Sequence, residues 1–220
     1  SFEVPESWWP GNNYDQDGLA RVAHSHIARF MASVGRSVAE RDAAVWTTIK
    51  THAEMGITED WGIDCDGDQW WSHLHGLFSN PGWARADYKC IGPADTSGNY
   101  ATWLATTPAD RNEFDIHTDD RRVTGATPTD DGLYLTHAGA SPFRANRGTY
   151  AYSRYSFTKY IPYYNNGYVG WTHLMSVAEM DMLRAEAALR AGDGGTAATL
   201  INKTRVANGQ LKPAVAGTIG

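Results

Sequence analysis

Apolar side chains recur at helical spacing near both ends of the chain. In the C-terminal part the recurring residues are Val177, Met180, Leu183 and Ala187, and then Ala197, Leu200, Ile201 and Thr204. In the N-terminal part they are Leu19, Val22, Ala23, Ile27, Phe30, Met31 and Val34. Residues three or four positions apart share one face of a helix, so each set forms an apolar stripe. The pattern predicts one helical hairpin over about 17–56 and another over about 176–208.

The tetrapeptide Ser-Val-Ala-Glu occurs at 37–40 and again at 176–179. A serine three residues before a glutamate is typical of a helix start, where each side chain accepts a hydrogen bond from a free backbone amide. The first copy predicts the start of the second helix of the N-terminal hairpin, and the second copy predicts the start of the C-terminal hairpin. Gly56 and Gly192 are the predicted stops. The buried face of the helix after the first copy is predicted to be Ala43, Trp46, Ile49 and Ala53.

The helical period disappears over about 57–170, where glycine, proline, aspartate, asparagine and aromatic residues dominate. Alternating side chains predict short strands at 132–136 and 149–155. The predicted fold is therefore mainly α, with tetratricopeptide-like helical hairpins, a long loop-rich and aromatic-rich middle region, and minor β structure. We expect one domain over 1–220. Because such hairpins need neighbours to cover their apolar faces, self-association is also considered.

Composition restricts the classes of function. The 220 residues are 42% hydrophobic and carry a formal net charge of −6, without a basic stripe, which argues against nucleic-acid binding. The apolar runs fall short of the roughly 20 residues that span a bilayer, and the first residues lack the layout of a signal peptide. We expect a mature, processed or cut chain.

The chain is rich in large aromatic residues, with nine Trp and eleven Tyr. Rings with an apolar face and a polar edge suit sugars, although a single ring more often only fills a core. Three clusters are candidate carbohydrate-binding sites. The first comprises Trp70, Trp71, Trp83 and Tyr88, with Asp68 and His73 beside them; the second Trp8 and Trp9, with Asn12, Asn13 and Tyr14; the third Tyr163 and Tyr164, with Asn165 and Asn166.

Cysteines and acidic residues give weaker signals. Cys65 and Cys90 could form a disulfide, as expected of an exported protein, or remain thiols. Asp64, Asp66 and Asp68 could offer oxygen atoms to calcium, but the run lacks the spacing of an EF-hand, so a solvated acidic turn is favoured. The sequence predicts no cofactor, with calcium as the alternative. The chain has no motif of a hydrolase elbow, metalloprotease or phosphate loop, and we expect it not to be an enzyme.

Three blocks of the chain together resemble SusD/RagB-like outer-membrane nutrient-binding lipoproteins. Along the chain they are 19–36 with 40–46 and 53–57, then 81–87, and then 184–193 followed by 200–209, which is the family's order. The clearest is Arg-Ala-Glu-Ala-Ala-Leu-Arg-Ala-Gly-Asp, followed by Leu-Ile-Asn-Lys-Thr-Arg-Val-Ala-Asn-Gly. Family members are longer and begin with a signal peptide and a lipid-bearing cysteine. We therefore expect this chain to be a fragment that lacks both ends.

The resemblance implies a helical scaffold covered by a loop-rich ligand region. It also implies non-catalytic binding of a glycan or other nutrient oligomer at the bacterial outer-membrane surface, for delivery to a SusC-like TonB-dependent transporter. Membrane association would then depend on a lipid anchor that is absent from this chain. Ligand residues differ among family members, so positions cannot be transferred. The alternatives are a helical-repeat scaffold or self-assembling extracellular protein, and a glycoside hydrolase that uses two of the 25 acidic residues.

Overall fold

The structure is a computed structural model that describes residues 2–71, 76–77, 80 and 82–218. The chain divides into two compact units. The terminal unit comprises Ser1–Asp64, Trp171–Ala207 and Lys212–Gly220, and the middle unit comprises Cys65–Gly170 and Asn208–Leu211. The predicted mainly helical character is confirmed.

The described part of the chain contains eight α-helices and four short strands. The helices are α1 (Gln16–Ser33), α2 (Val38–Asp42), α3 (Trp46–Glu54), α4 (Tyr88–Ile91), α5 (Asn99–Ala105), α6 (Ile161–Asn165), α7 (Val177–Arg190) and α8 (Gly194–Arg205). The strands are β1 (Trp61–Cys65), β2 (Leu135–His137), β3 (Tyr155–Phe157) and β4 (Gly170–Met175). β1 pairs with β4, and β2 pairs antiparallel with β3. None of the helices described is both long and apolar enough to cross a bilayer.

The second predicted helix of the N-terminal hairpin is two helices, α2 and α3. Trp46, Ile49 and Ala53 are buried as predicted, but the prediction that Ala43 is buried was wrong, since it lies exposed where α2 ends. The break turns the Trp46 ring into the core, where its Nε1 donates to the carbonyl of Arg41 at 3.1 Å. The helical period thus continues across a break in the helix, and the Trp46 side chain spans that break.

Helix α1 buries only part of the predicted stripe: Val22 is buried and Met31 packs against the core. Ile27, Phe30 and Val34 are exposed, at 39%, 63% and 72% of their surface, whereas Ser25 and Ala28 are fully buried. These two small side chains let α1 approach its neighbours closely. The Ser25 hydroxyl also donates to the carbonyl of Arg21 at 3.0 Å and accepts from the amide of Ile57 at 2.8 Å. The orientation of α1 therefore follows from close packing of small residues and from satisfied hydrogen bonds. Burial of the largest apolar residues of α1 does not determine it.

The C-terminal helices α7 and α8 match their predicted limits. Gly192 adopts a left-handed φ of +79°, and the amide of Asp193 donates to the carbonyl of Ala188 at 2.8 Å, which ends α7 as the glycine predicted. The two helices pack through Ala185, Ala188, Ala197 and Leu200. Because these side chains are mostly small, the backbones lie close together and form a stable base for the terminal unit.

The middle unit has its own core, composed of Ala86, Tyr88, Ile91, Trp103, Ile116, Val123, Leu135 and Tyr155. Its strands are shorter than predicted and begin later, at Leu135 and Tyr155. Most of the predicted strand 149–155 lies outside β3 because it bonds elsewhere: the amide of Tyr88 donates to the carbonyl of Ala151, and that of Ser153 to Ala86. Hydrogen bonds to the segment around Ala86 and Tyr88 therefore replace part of the strand pairing that the sequence predicted.

Candidate functional site

A polar cleft lies within the terminal unit, with an exposed tryptophan at its edge. Its lining comes from the loop of residues 11–14, Arg21 on α1, the loop of residues 57–60, and Trp171 on β4. It encloses about 250 Å³, room for roughly one sugar ring with its hydroxyl groups. We call this surface the Trp171 cleft.

The indole of Trp171 lies close to the backbone of two glycines, which carry no side chains. A methyl group at Gly62 would be 2.8 Å from the ring, and one at Gly11 would be 3.2 Å from it. Gly11 also has a left-handed φ of +81°, a conformation that glycine adopts at little cost. Both glycines thus allow the ring to rest against the chain, while 43% of its surface stays exposed. The result is a fixed aromatic platform that faces solvent.

Several polar groups converge on the same cleft. Burial, and then the negative charge of Glu59, raise the pKa of Tyr14, so its phenol stays protonated and can donate a hydrogen bond. Arg21 reaches the carbonyl of Gly56 at 3.5 Å. Glu59 and Asn13 are exposed beside it. The cleft therefore offers donors and acceptors around one aromatic face.

Asp60 and Asn12 have structural partners. One oxygen of Asp60 accepts from the amide of Val177 at 2.8 Å, which caps the start of α7, and the other lies 3.9 Å from Nδ1 of His173. The buried Asn12 amide donates to the carbonyls of Gly62 at 2.8 Å and Pro10 at 3.2 Å. Asn12, part of the second predicted cluster, therefore supports the loop instead of facing a ligand.

The residues of the second predicted cluster differ in how far their side chains are buried. Trp8 is 68% exposed in a short 3₁₀ turn, whereas Trp9 packs edge-on to Tyr14 and to Trp61, with ring centroids 5.9 Å and 5.4 Å apart. Trp9 thus supports the core beneath the cleft. The Asn13 and Tyr14 positions of this cluster do line the cleft.

The first predicted cluster is separated in the middle unit. Trp70 is half-buried, Trp71 stacks on Tyr168 at a centroid distance of 6.0 Å, and Trp83, 60% exposed, meets Phe143 at 5.7 Å. Asp68 lies exposed in the turn before Trp70, and His73 lies outside the described residues.

The prediction that Tyr88 binds ligand was wrong, because the residue is fully buried in the core of the middle unit. Its ring stacks on Phe114 at a centroid distance of 4.3 Å. A side chain enclosed in this way cannot form a platform for a sugar. The error arose because a sequence pattern of alternating polar and aromatic residues does not show which rings face the core.

The third predicted cluster meets the first at Tyr168. Tyr163 and Tyr164 each contact the Tyr168 ring edge-on, at 5.7 Å and 5.9 Å. Tyr163 is buried, so its assignment as a ligand residue was wrong, while Tyr164 is half-buried. Tyr168 has a left-handed φ of +68°, unusual for an aromatic residue, and this turn brings its ring between those of Trp71 and the two tyrosines.

The cysteines are thiols in the structure, which contradicts the disulfide alternative. Cys65 is buried at the end of β1, and Cys90 is exposed on α4. The two side chains occupy opposite environments, one in the interior and one in solvent. Stability of this segment therefore comes from packing.

The acidic run 64–68 forms a local turn. Oδ1 of Asp66 accepts from the amides of Asp68 and Trp70, both at 2.8 Å, and these bonds lower the pKa of the carboxyl. The backbone amide of Asp64 donates to the carbonyl of Pro10 at 2.9 Å. Among the residues that the structure describes, no three His, Cys, Asp or Glu side chains are grouped to hold a metal ion.

Trp171 and Tyr168 were missed by the sequence analysis. Gly170, Trp171 and Thr172, at the start of β4, are in turn half-buried, exposed and buried, but no local pattern in the sequence marked this tryptophan as the one that faces solvent. Trp61 and Gly62 supply the paired strand, but two short strands more than 100 residues apart give no local sign that they pair. Comparisons of the chain with protein-family models, with curated proteins and with solved structures find no match.

Proposed function

We propose that this chain binds a glycan or other nutrient oligomer, without catalysis, at the bacterial outer-membrane surface. It would deliver that oligomer to a SusC-like TonB-dependent transporter, and a lipid anchor would hold the protein to the membrane. The Trp171 cleft is the observation that carries the proposal. The resemblance of three sequence blocks to SusD/RagB-like proteins supports the class of protein.

The cleft suits a sugar because it combines one apolar face with a polar rim. The exposed face of Trp171 would pack against the C–H groups of a pyranose ring. The phenol of Tyr14 and the guanidinium of Arg21 would donate to hydroxyl oxygens, and the carboxylate of Glu59 would accept from hydroxyl hydrogens. A volume of about 250 Å³ suits one unit of an oligomer, with the rest extending into solvent.

We also propose that the helical hairpins form a scaffold of the tetratricopeptide type. The short connection between α7 and α8, and the alanines where they pack, support this interpretation. In such scaffolds each hairpin supports the next, and the loops between them carry the ligand.

A glycoside hydrolase needs two carboxyl groups set across the scissile bond. Glu59 and Asp60 both line the cleft, but Asp60 is engaged as the cap of α7. This engagement favours binding over hydrolysis. A scaffold that contacts only proteins would not require a polar cleft beside a fixed ring.

The test is calorimetric titration with a panel of neutral oligosaccharides, alongside a reducing-sugar assay. Replacing Trp171 by Ala should weaken binding by about tenfold or more, because the stacking face is lost. Phe30→Ala is the matched control, since it removes another exposed ring of the terminal unit, on α1. Equal affinity in wild type and Trp171→Ala contradicts the site. Release of reducing ends would indicate a hydrolase, and the absence of any binding would favour the scaffold.

A further inference from the structure

A second surface, in the middle unit, is lined by arginine side chains. An open depression of about 710 Å³ has Arg111, Arg144 and Arg154 around Phe143, and a smaller one beside it shares Phe143 and Arg144 and adds Arg147. The chain as a whole is acidic, with a formal net charge of −6. Because a chain of net negative charge repels anions, the attraction of an anion to this surface would have to come from these arginine side chains.

Arg144 and Arg147 lie at the two ends of a short turn and line the same depression. Arg144 precedes the 3₁₀ turn Ala145–Arg147 in an extended conformation, Arg147 ends it, and both line the smaller depression. The turn is fixed by two hydrogen bonds: Oγ1 of Thr149 donates to the carbonyl of Arg144 at 2.8 Å, and the amide of Phe143 donates to Oγ of Ser141 at 3.1 Å. The backbone that carries both positive charges is thus fixed at one depression before any ligand arrives.

Neither of these two guanidinium groups is neutralised within the described part of the chain. Both side chains are exposed, and no hydrogen bond or ion pair to either guanidinium occurs among residues 2–71, 76–77, 80 and 82–218. Two like charges on one face repel each other, and a shared oxyanion would remove that repulsion.

Two nearby acidic residues, Glu113 and Asp115, are already paired. Nη1 of Arg154 donates to Asp115 at 3.0 Å, its Nε lies 3.5 Å from Glu113, and both oxygens of Glu113 accept from the amide of Ser141. The guanidinium of Arg111 lies 4.2 Å above the ring of Trp103 and donates to backbone carbonyls. Asp110 is therefore the acidic residue of this lining whose negative charge can offset the positive charges of Arg144 and Arg147.

An aromatic surface adjoins the arginine pair. The half-buried ring of Phe143 is packed edge-on between Trp83 at 5.7 Å and Tyr152 at 5.3 Å, and Trp83 is 60% exposed. Guanidinium groups bind carboxylate and sulfate through paired hydrogen bonds, and aromatic faces bind the C–H side of a pyranose. The combination suits a sugar ring that carries an oxyanion.

We infer that Arg144 and Arg147, with Phe143 and Trp83, form a binding site for an acidic sugar. Its carboxylate or sulfate lies between the two guanidinium groups, and its ring packs on the aromatic surface. The inference rests on the proposed function in one respect, that the oxyanion is carried by a glycan. It deepens that function by naming acidic oligosaccharides as a substrate class.

The probes are trigalacturonate, its neutral carboxyl-reduced counterpart, and inorganic sulfate as a competitor, all titrated against the full chain by calorimetry. Wild type should bind trigalacturonate at least about tenfold more tightly than the neutral trimer, as expected for charge-assisted hydrogen bonds. The double variant Arg144→Gln/Arg147→Gln should remove that preference. Inorganic sulfate should compete with trigalacturonate in wild type, as expected if the two guanidinium groups hold an oxyanion, and should not compete in the double variant.

The matched control is Arg36→Gln/Lys212→Gln, which removes two exposed positive charges from the terminal unit and leaves the arginine pair intact. It should keep the wild-type affinity. The inference is overturned if wild type binds both trimers equally, if trigalacturonate does not bind, or if the control loses as much affinity as the double variant.

Trp171→Ala separates this inference from the proposed function. One outcome is that Trp171→Ala loses neutral-oligomer binding while wild type shows no preference for trigalacturonate. That outcome supports the proposed function and rejects the acidic-sugar site. The opposite outcome is that trigalacturonate binds through Arg144 and Arg147 while no neutral oligomer binds at the Trp171 cleft. That outcome supports the acidic-sugar site and rejects the Trp171 cleft as a binding site.

Discussion

Tyr88 and Tyr155 show how single hydroxyl groups organise the core of the middle unit. The hydroxyl of Tyr155 donates to the carbonyl of Pro128 and accepts from the amide of Ile116, both at 2.8 Å. That of Tyr88 donates to the carbonyl of Phe114 at 2.6 Å and accepts from its amide at 2.8 Å. Each tyrosine therefore satisfies backbone groups of loops that lack a ladder of their own.

Replacing Tyr155 by Phe should lower the free energy of unfolding by about 1–3 kcal/mol, because a buried amide and a carbonyl lose their partner. Burial raises the pKa of Tyr155 to about 12, so the neutral form prevails in the folded protein. Urea denaturation measures the loss. Tyr134→Phe, at a tyrosine that is 42% exposed, is the control and should cost less. Equal stability of wild type and Tyr155→Phe would contradict the role assigned to the hydroxyl.

His26 makes the stability of the terminal unit depend on pH. Its ring packs on Phe30 and edge-on to Trp61, and Nδ1 is buried without a hydrogen-bond partner among the described residues. Burial, and then the positive charge of Arg29, lower its pKa below the ordinary 6.5, against the opposing effect of Glu179. Between the lowered pKa and 6.5, the unfolded chain therefore binds more protons than the folded chain.

The free energy of unfolding should consequently fall as the pH drops below about 6.5, and should level off below the lowered pKa. His26→Phe should flatten this slope, because the uncharged ring has no proton to take up. Denaturant titrations at a series of pH values measure it. His117→Gln, at an exposed histidine of the middle unit, is the control and should keep the wild-type slope. An unchanged slope in His26→Phe would contradict the assignment.

At the scale of elements, the two copies of Ser-Val-Ala-Glu start helices in different ways. At α2 both halves of the capping box form: Oγ of Ser37 accepts from the amide of Glu40 at 3.2 Å, and Glu40 accepts from the amide of Ser37 at 2.9 Å. At α7 the Ser176 half forms, at 3.2 Å, but Glu179 pairs with Arg29 on α1. Asp60 caps the first amide of α7 instead.

The substitution Glu179→Gln should therefore destabilise the protein more than Glu40→Gln. Glutamine can still accept a backbone hydrogen bond at position 40, whereas at 179 it loses the ion pair with Arg29. Both partners of that pair are about one-third exposed, so the loss should be about 1 kcal/mol or less. Chemical denaturation in wild-type and Arg29→Ala backgrounds forms a double-mutant cycle. The effect of Glu179→Gln should shrink in Arg29→Ala; an undiminished effect would count against the pair.

At the scale of the whole molecule, the two units have separate hydrophobic cores. Ile49 lies in the core of the terminal unit and Ile116 in that of the middle unit, and both are fully buried. Each core is formed by residues from distant parts of its unit, so packing within a unit is the main source of its stability.

Ile49→Ala and Ile116→Ala should each cost about 2–5 kcal/mol, through lost burial and the cavity left behind. Hydrogen exchange followed by mass spectrometry should show faster exchange in α3 and α7 for Ile49→Ala, and in α4 and β3 for Ile116→Ala. Val215→Ala, at an exposed residue, is the control for general effects. Unchanged protection in a variant's own unit would contradict the assignment of that core.

The sequence by itself determined the limits of α1, α7 and α8, the serine caps of α2 and α7 and the glycine stop at Gly192, because these depend on residues within one or two turns. It also indicated the loop-rich middle and its abundance of rings. Local patterns carry this information since capping and helical period are short-range effects.

Only the tertiary structure decided which face of α1 is buried, that Glu179 pairs with Arg29, and which rings face solvent. Tyr88 and Tyr163 are enclosed, whereas Trp171, which no local pattern marked, lies open on the backbone of Gly11 and Gly62. The physical reason is that burial and pairing depend on contacts between residues 50 to 160 positions apart, such as Asn12 with Gly62 and Arg29 with Glu179. Their energies exist only once the chain is folded.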